Sequence, residues 1–148
     1  MSDIADICNF LDLEPLLATG GQPLEEELRA LAAAGFELVI NLALPTSDNA
    51  LPNESEIVHA LGMAYIPIPV AWEAPRPEDF ARFCAAMEAN TQRRRFVHCA
   101  ANYRVASFIY LYRVMRLGWT PQRAERDLYA IWRPDATWRR FIAEMSKA

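Results

Sequence analysis

Phe36-Glu37-Leu38-Val39-Ile40-Asn41-Leu42, set between Gly35 and a loop rich in Pro, Ser, Asp and Asn, is the segment that most narrows the fold. It predicts a strand apolar enough to be mostly buried, and such a strand needs neighbours that cover it. The flanking segments alternate in kind and can supply that cover. Leu16 to Pro23 is extended and broken by Gly20-Gly21, and Pro23 sits where a helix can begin. Leu24 to Leu31 then carries leucines at helical spacing, with acids in the first turn where the helix dipole favours them, and Gly35 closes the helix after Ala34. Beyond the loop Pro45 to Asn53, residues Glu54 to Leu61 predict a short helix stopped by Gly62, with His59 suited to its C-terminal dipole.

Met63 to Val70 is extended again. Pro67 and Pro69 remove backbone donors there, so the later part should leave the sheet or lie on an edge. After the loop Ala71 to Arg76, Pro77 opens a helix through Asn90, with Phe80, Phe83, Cys84 and Met87 as its inner stripe. Arg94 to His98 is a short strand. Val105 to Leu117 predicts a helix with Val105, Phe108, Ile109, Tyr112 and Met115 on one face and Gly118 as its stop. Thr120-Pro121 caps and opens a further helix to about Ile131, and a last one covers Asp135 to Ser146. Strands alternating with helices predict an α/β three-layer sandwich: a mostly parallel central sheet flanked by helices, with 36–42 and 94–98 as its central strands.

At 148 residues the chain predicts a single domain over 1–148. No apolar run approaches the ~18–20 residues a membrane span needs, and the acidic start Met1 to Asp6 lacks the order of a signal peptide. Cys8, Cys84 and Cys99 are odd in number and widely spaced, which argues against a disulfide framework. With only His59 and His98 and no C-x-x-C pair, structural zinc is not expected. A soluble, reducing, cytoplasmic setting is the expectation, with no membrane partner.

Chemistry concentrates in Val97-His98-Cys99-Ala100-Ala101-Asn102-Tyr103-Arg104-Val105-Ala106-Ser107. Cys99 leaves the C-terminal edge of the predicted sheet, the edge where open α/β sheets bind ligands. The following loop ends at a helix N-terminus, whose free N–H groups favour an anion and, in the same way, a thiolate over a thiol. Arg104 adds a fixed cation with a planar fork suited to phosphate or sulfate oxygens. A thiolate, backbone donors and an arginine so close together make a site for attacking a tetrahedral oxyanion. The plainer reading of Cys99 alone is a small buried hydrophobe.

The pattern H-C-x-x-x-x-R resembles the signature loop of the cysteine-dependent phosphatases, the protein tyrosine and dual-specificity superfamily. More closely, Thr19-Gly20-Gly21-Gln22-Pro23, Val39-Ile40-Asn41-Leu42, Tyr65-Ile66-Pro67-Ile68-Pro69-Val70 and Val97 to Arg104 resemble, in order, a bacterial branch of small phosphatase-like proteins of uncharacterised function. The resemblance spans about residues 16–132. It implies a phosphatase-type α/β fold and hydrolysis of phosphotyrosine or another phosphomonoester through a phosphocysteine on Cys99, without metal or other cofactor. Arg104 would hold the phosphoryl oxygens, and the amides of Ala100, Ala101, Asn102, Tyr103 and Arg104 would line the cradle. His98 would order the loop from beneath. The superfamily usually places a hydroxyl directly after the arginine; Val105 stands there, which leaves Ser107 as helper of the leaving thiolate. The general acid would come from the region after Val70, where Glu73 is the first carboxylate; Glu78 and Asp79 suit the first turn of the next helix, and Asp48 is a further candidate. Trp72 could wall the pocket and Gln22 could touch it, with core packing and a turn as their plainer roles.

This loop is one residue shorter than the superfamily's and has no glycine, a place that Asn102 can fill by adopting the left-handed conformation. Rhodanese-type sulfurtransferases use a shorter loop of this kind with a persulfide on cysteine, so sulfur transfer stays open, as does an oxyanion-binding module without an effective acid. Charge bears on the ligand too. Residues 1–90 hold 15 acids and 3 bases, and residues 91–148 hold 4 acids and 12 bases. The basic half contains the loop, in keeping with a phosphorylated or other oxyanion substrate. Arg113, Arg116, Arg123 and Arg126 fall on later helices and should face solvent or the acidic half. Arg93-Arg94-Arg95 reads as a solvated connection, and with no aromatic-interleaved basic motif, nucleic acid is not an expected partner. Trp119, Trp132 and Trp138 with nearby arginines could serve a homodimer surface, with helix packing the default.

Overall fold

The computed structural model describes residues 3–147. Five strands form one sheet in the order β1-β2-β5-β3-β4, with β1 (Leu11–Glu14), β2 (Leu17–Gly20), β3 (Leu38–Asn41), β4 (Ala64–Pro67) and β5 (Arg95–His98). All pairings are parallel except the β1–β2 hairpin. The two segments expected at the centre lie side by side there, and β4 is an edge strand that ends at Pro67. The hairpin strand β1 was not anticipated, although Leu11-Asp12-Leu13-Glu14 alternates apolar and acidic residues in the strand period.

Alternation along the strands sorts the core into two layers. Ala18, Val39 and Phe96 meet Leu28 and Leu31 of α1 (Glu25–Ala33) and Val58 of α2 (Glu54–Ala60). Leu17, Leu38, Ile40 and Val97 point the other way. They join Phe80 and Phe83 of α3 (Pro77–Glu88), Phe108 of α4 (Tyr103–Met115), and Trp138 and Phe141 of α6 (Ala136–Ser146). The helix α5 (Pro121–Ile131) packs on α4 through Ala124 and Leu128. Caps fall where the sequence puts them: Thr120 Oγ1 accepts from Arg123 N–H, and Asp135 Oδ1 from Trp138 N–H.

The central helix starts at Tyr103, ahead of its expected start, and is buried almost all round, because it lies between the sheet and helices α5 and α6. Its Arg113 is 2% exposed and, of the two surroundings expected for it, meets the acidic half, at Glu14. One expectation needs correction: Arg95 is not part of a solvated connection. As the first residue of β5 it turns inward and is 6% exposed.

Strand register fixes where chemistry can occur. Gly20, His98 and Asn41 are aligned across β2, β5 and β3, at the C-terminal edge of the parallel strands. Leu17, Arg95 and Leu38 mark the opposite edge. Among the described residues, no helix is long and apolar enough to cross a membrane.

Phe108 is fully buried, with its ring between those of Phe80, Phe83, Trp138 and Phe141 at 5.6–6.0 Å. Phe108→Ala should remove about 3–5 kcal/mol of stability, read as a lower urea midpoint.

Candidate active site

The chain leaves β5 at His98, crosses Cys99–Asn102 and enters α4 at Tyr103. Cys99 is 1% exposed at the C-terminal edge of the central strand, and its N–H donates to Gly20 O at 3.4 Å. What shapes the segment is the direction of its carbonyls. Cys99 O accepts from His98 Nδ1 at 3.2 Å. Ala100 O accepts from Gln22 N at 3.1 Å and from Asn49 Nδ2 at 3.0 Å. Ala101 O accepts from Asn9 Nδ2 at 2.9 Å, Asn102 O from Ala106 N at 2.9 Å and Tyr103 O from Ser107 Oγ at 3.0 Å. None of these peptides is cis, so each N–H points opposite to the preceding carbonyl. The amides of Ala100, Ala101 and Asn102 are therefore turned away from those flanking donors. Among the described residues, no protein carbonyl accepts from the amides of Ala100, Ala101, Tyr103 or Arg104. Donors of this kind at a helix N-terminus suit an anion.

Asn102 adopts the left-handed conformation with φ 71°, as its place in a loop without glycine suggested. Its Nδ2 fixes that geometry by donating to Asn9 O at 2.9 Å and Thr19 Oγ1 at 3.1 Å. Gly21 is tied to the same loop by close approach, since a Cβ there would meet Ala100 O at 2.8 Å.

Beneath the loop lies a buried polar network. Glu54, at the start of α2 and 4% exposed, accepts from His98 Nε2 at 2.6 Å and from Gln22 Nε2 at 2.6 Å. Both ring nitrogens of His98 thus face oxygen atoms, of the Glu54 carboxyl and the Cys99 carbonyl. Burial pushes the Glu54 carboxyl up. The hydrogen bond and charge of His98, with the Gln22 and Tyr65 donors, outweigh burial and hold it below its ordinary 4.5. Burial, joined by the Glu54 charge and opposed by the Asn41 bond, pushes the Tyr65 hydroxyl up to about 12. Sequence reasoning placed His98 under the loop and left Gln22 between a turn and a contact with the site, but it missed Glu54, Asn9 and Asn49. Glu54 looked like an ordinary first-turn acid, and no local pattern reveals that its carboxylate is buried.

Arg104 is 6% exposed. Its Nη1 donates to Val70 O at 2.8 Å, its Nε is buried without a partner, and no carboxylate lies within salt-bridge distance among the described residues. Its guanidinium carbon is 5.8 Å from the Trp72 ring. Trp72, Tyr103 and Trp132 form a half-buried aromatic group beside it, with Tyr103 stacked on Trp132 at 4.8 Å and 3°. Trp72 also packs on the fully buried Trp138, whose Nε1 donates to Trp72 O. Glu73 is exposed on the turn after Val70, next to Trp72 in the chain. Asp79 is 1% exposed and caps α3 by accepting from Arg76 N; Asp48 is exposed, one residue before Asn49. The hydroxyl hydrogen of Ser107 goes to its own helix, at the Tyr103 carbonyl, and not to Cys99. Cys84 lies in the core, where burial pushes its thiol up to about 11. Among the described residues, no group of three or more His, Cys, Asp and Glu side chains could hold a metal ion.

Glu54→Ala leaves His98 and Gln22 buried without their acceptor and should cost about 3–5 kcal/mol. The native pKa of Glu54 lies below the unfolded value, so its contribution is whole above about pH 4.5 and fades as pH falls below that. Denaturation midpoints taken from about pH 7 down to about pH 3 should drop more steeply for wild type than for Glu54→Gln.

Residues 5–143 match the family described as DSP-PTPase phosphatase fused to NAD+ kinase. Among curated proteins, none matches the sequence. A crystal structure of a candidate phosphatase from Shewanella putrefaciens is 32% identical and superposes with a TM-score of 0.86, covering 97% of this chain and 95% of that one. PTPMT1 in complex with PI(5)P is 16% identical, with a TM-score of 0.78 over 93% of this chain and 94% of that one. P. aeruginosa TpbA in complex with pTyr is 15% identical, with a TM-score of 0.66 over 100% of this chain and 95% of that one. These two share the fold. With outward carbonyls, a buried arginine free of carboxylates and a match over nearly its whole length, the chain belongs to the DSP-PTPase phosphatase family.

Proposed function

We propose that the chain is a phosphomonoester phosphatase in which Cys99 is the nucleophile. The observation that carries this reading is the loop itself. Its carbonyls are held by Gln22, Asn49, Asn9 and His98, and its amides are turned the other way, beside an arginine with no carboxylate within salt-bridge distance among the described residues. The Cys99 thiolate attacks phosphorus and the ester P–O bond breaks. The leaving oxygen takes a proton from Glu73 on the loop after Val70. Water then attacks the phosphocysteine, its proton goes to Glu73, and the S–P bond breaks to release phosphate and restore the thiolate. The amides of Ala100 to Arg104 and the Arg104 guanidinium hold the three equatorial oxygens as charge builds. The aromatic group Trp72, Tyr103 and Trp132 favours an aryl phosphate, and one same-fold protein is found in complex with pTyr.

The four-residue spacing between Cys99 and Arg104 also favours a second reading, sulfur transfer through a persulfide. Mass spectrometry after thiosulfate treatment separates the two. A cyanide-removable sulfur on Cys99, with no aryl phosphate turnover, would replace the first reading by the second.

With an aryl phosphate, Cys99→Ser should abolish turnover while keeping phosphate affinity, and Arg104→Met should lose both. Glu73→Gln should lower kcat by about 10²–10⁴-fold toward poor leaving groups and remove the limb on which activity falls as the acid deprotonates. Unchanged turnover by Cys99→Ser would end the proposal.

A further inference from the structure

Three arginines are more than nine-tenths buried: Arg104 at 6% exposure, Arg95 at 6% and Arg113 at 2%. Buried charges are normally paired, so a buried guanidinium without a carboxylate asks for an explanation. Arg113 has partners, Asp127 at 2.5 Å and Glu14 at 3.5 Å. Arg104 has none, and it stands at the loop already described. Arg95 shares that condition at the opposite edge of the sheet. No carboxylate lies within 4 Å of it among the described residues. Its bonds are long: Nε to Leu16 O at 3.4 Å and Nη1 to Met87 O at 3.4 Å. Its Nη2 donates to no protein atom among the described residues. Burial lowers the pKa of Arg95, against the weaker opposing charge of Glu14, which marks a cation short of compensation.

Arg95 and Arg113 both line a cavity of about 200 Å³, together with Glu14, Tyr112 and, at the rim, the exposed Thr91. The Nη2 of Arg113 holds only the long contact to Glu14. Among the described residues, the space therefore has one free guanidinium donor, Arg95 Nη2, and a second, Arg113 Nη2, that is held only weakly, with Met87 and Ile109 among its apolar lining. We propose that this cavity is a second anion site, taking a small oxyanion, a phosphate or carboxylate group, between Arg95 and Arg113.

Glu14 sets the strength of that site. It is half-exposed on β1, its contact with Arg113 is long, and Asp127 already satisfies one end of that guanidinium. A bound oxyanion takes the place of the Glu14 carboxylate, which swings into water, and it gains the Arg95 donor that Glu14 does not reach. Because the cavity is at the N-terminal edge of β5, the inference does not rest on the reading of Cys99.

The test is calorimetric titration of inorganic phosphate, and separately acetate, into Arg104→Met, in which the first site is disabled. One phosphate should still bind. Glu14→Gln in that background should tighten binding by about tenfold or more, and Thr91→Glu at the rim should weaken it by about a hundredfold. Arg95→Met should abolish it; if that variant does not fold, Thr91→Glu decides. Phosphate binding without acetate binding identifies a phosphorylated ligand, and binding of both identifies a general small-oxyanion site. If Arg104→Met does not fold, wild type should bind two phosphates, and Thr91→Glu one, with aryl phosphate turnover unchanged. No binding of either anion, even with Glu14→Gln, would overturn the proposal. So would binding indifferent to Thr91→Glu.

Discussion

A carboxylate and an imidazole 2.6 Å apart, both shut away from water, each make the other's burial tolerable. Glu54 and His98 form such a pair, and its position gives it reach. Through Nδ1 the imidazole holds the Cys99 carbonyl, and through Gln22 the carboxylate holds a residue whose own amide holds the Ala100 carbonyl. Two successive peptides of the loop are thereby oriented from one buried pair of side chains. The orientation of those peptides is what leaves their amides free for an anion. A loop one residue short, without glycine, holds its shape because partners elsewhere in the chain fix its peptides.

The fold was legible because its signals are local. The apolar run 36–42, the glycines closing helices and the Thr120-Pro121 cap each state their element within a few residues. The candidate site segment was legible for the same reason, since Cys99, Arg104 and the left-handed Asn102 lie in one short stretch. What escaped was most of what reaches the loop from elsewhere, Gln22 excepted. Asn9, Asn49 and Glu54 lie 92, 51 and 44 residues from their partners. An asparagine in a loop or an acid in a first turn has the same local pattern whether or not it holds a distant carbonyl. The burial of Arg95 escaped because three arginines in a row look solvated, and only the strand register decides which of them turns inward.

The division into an acidic and a basic half takes on a structural meaning as well. Arg113 with Glu14, Arg116 with Glu88 and His98 with Glu54 each join the second half to the first. A part of the asymmetry is thus used in contacts between the two halves. Among the buried arginines of the described residues, Arg104 and Arg95, on opposite sides of the sheet's central strand, have no carboxylate within salt-bridge distance.

The bonds between Asn9 and the loop also bear on how the molecule is put together. Asn9 donates to Ala101, and Asn102 donates back to Asn9, so the two stretches clasp each other. Closing a loop that long costs chain entropy before any contact repays it. The shape of the loop is thus a product of the whole chain: during synthesis the stretch that holds it is made first, and it acquires something to hold only after most of the sequence has emerged.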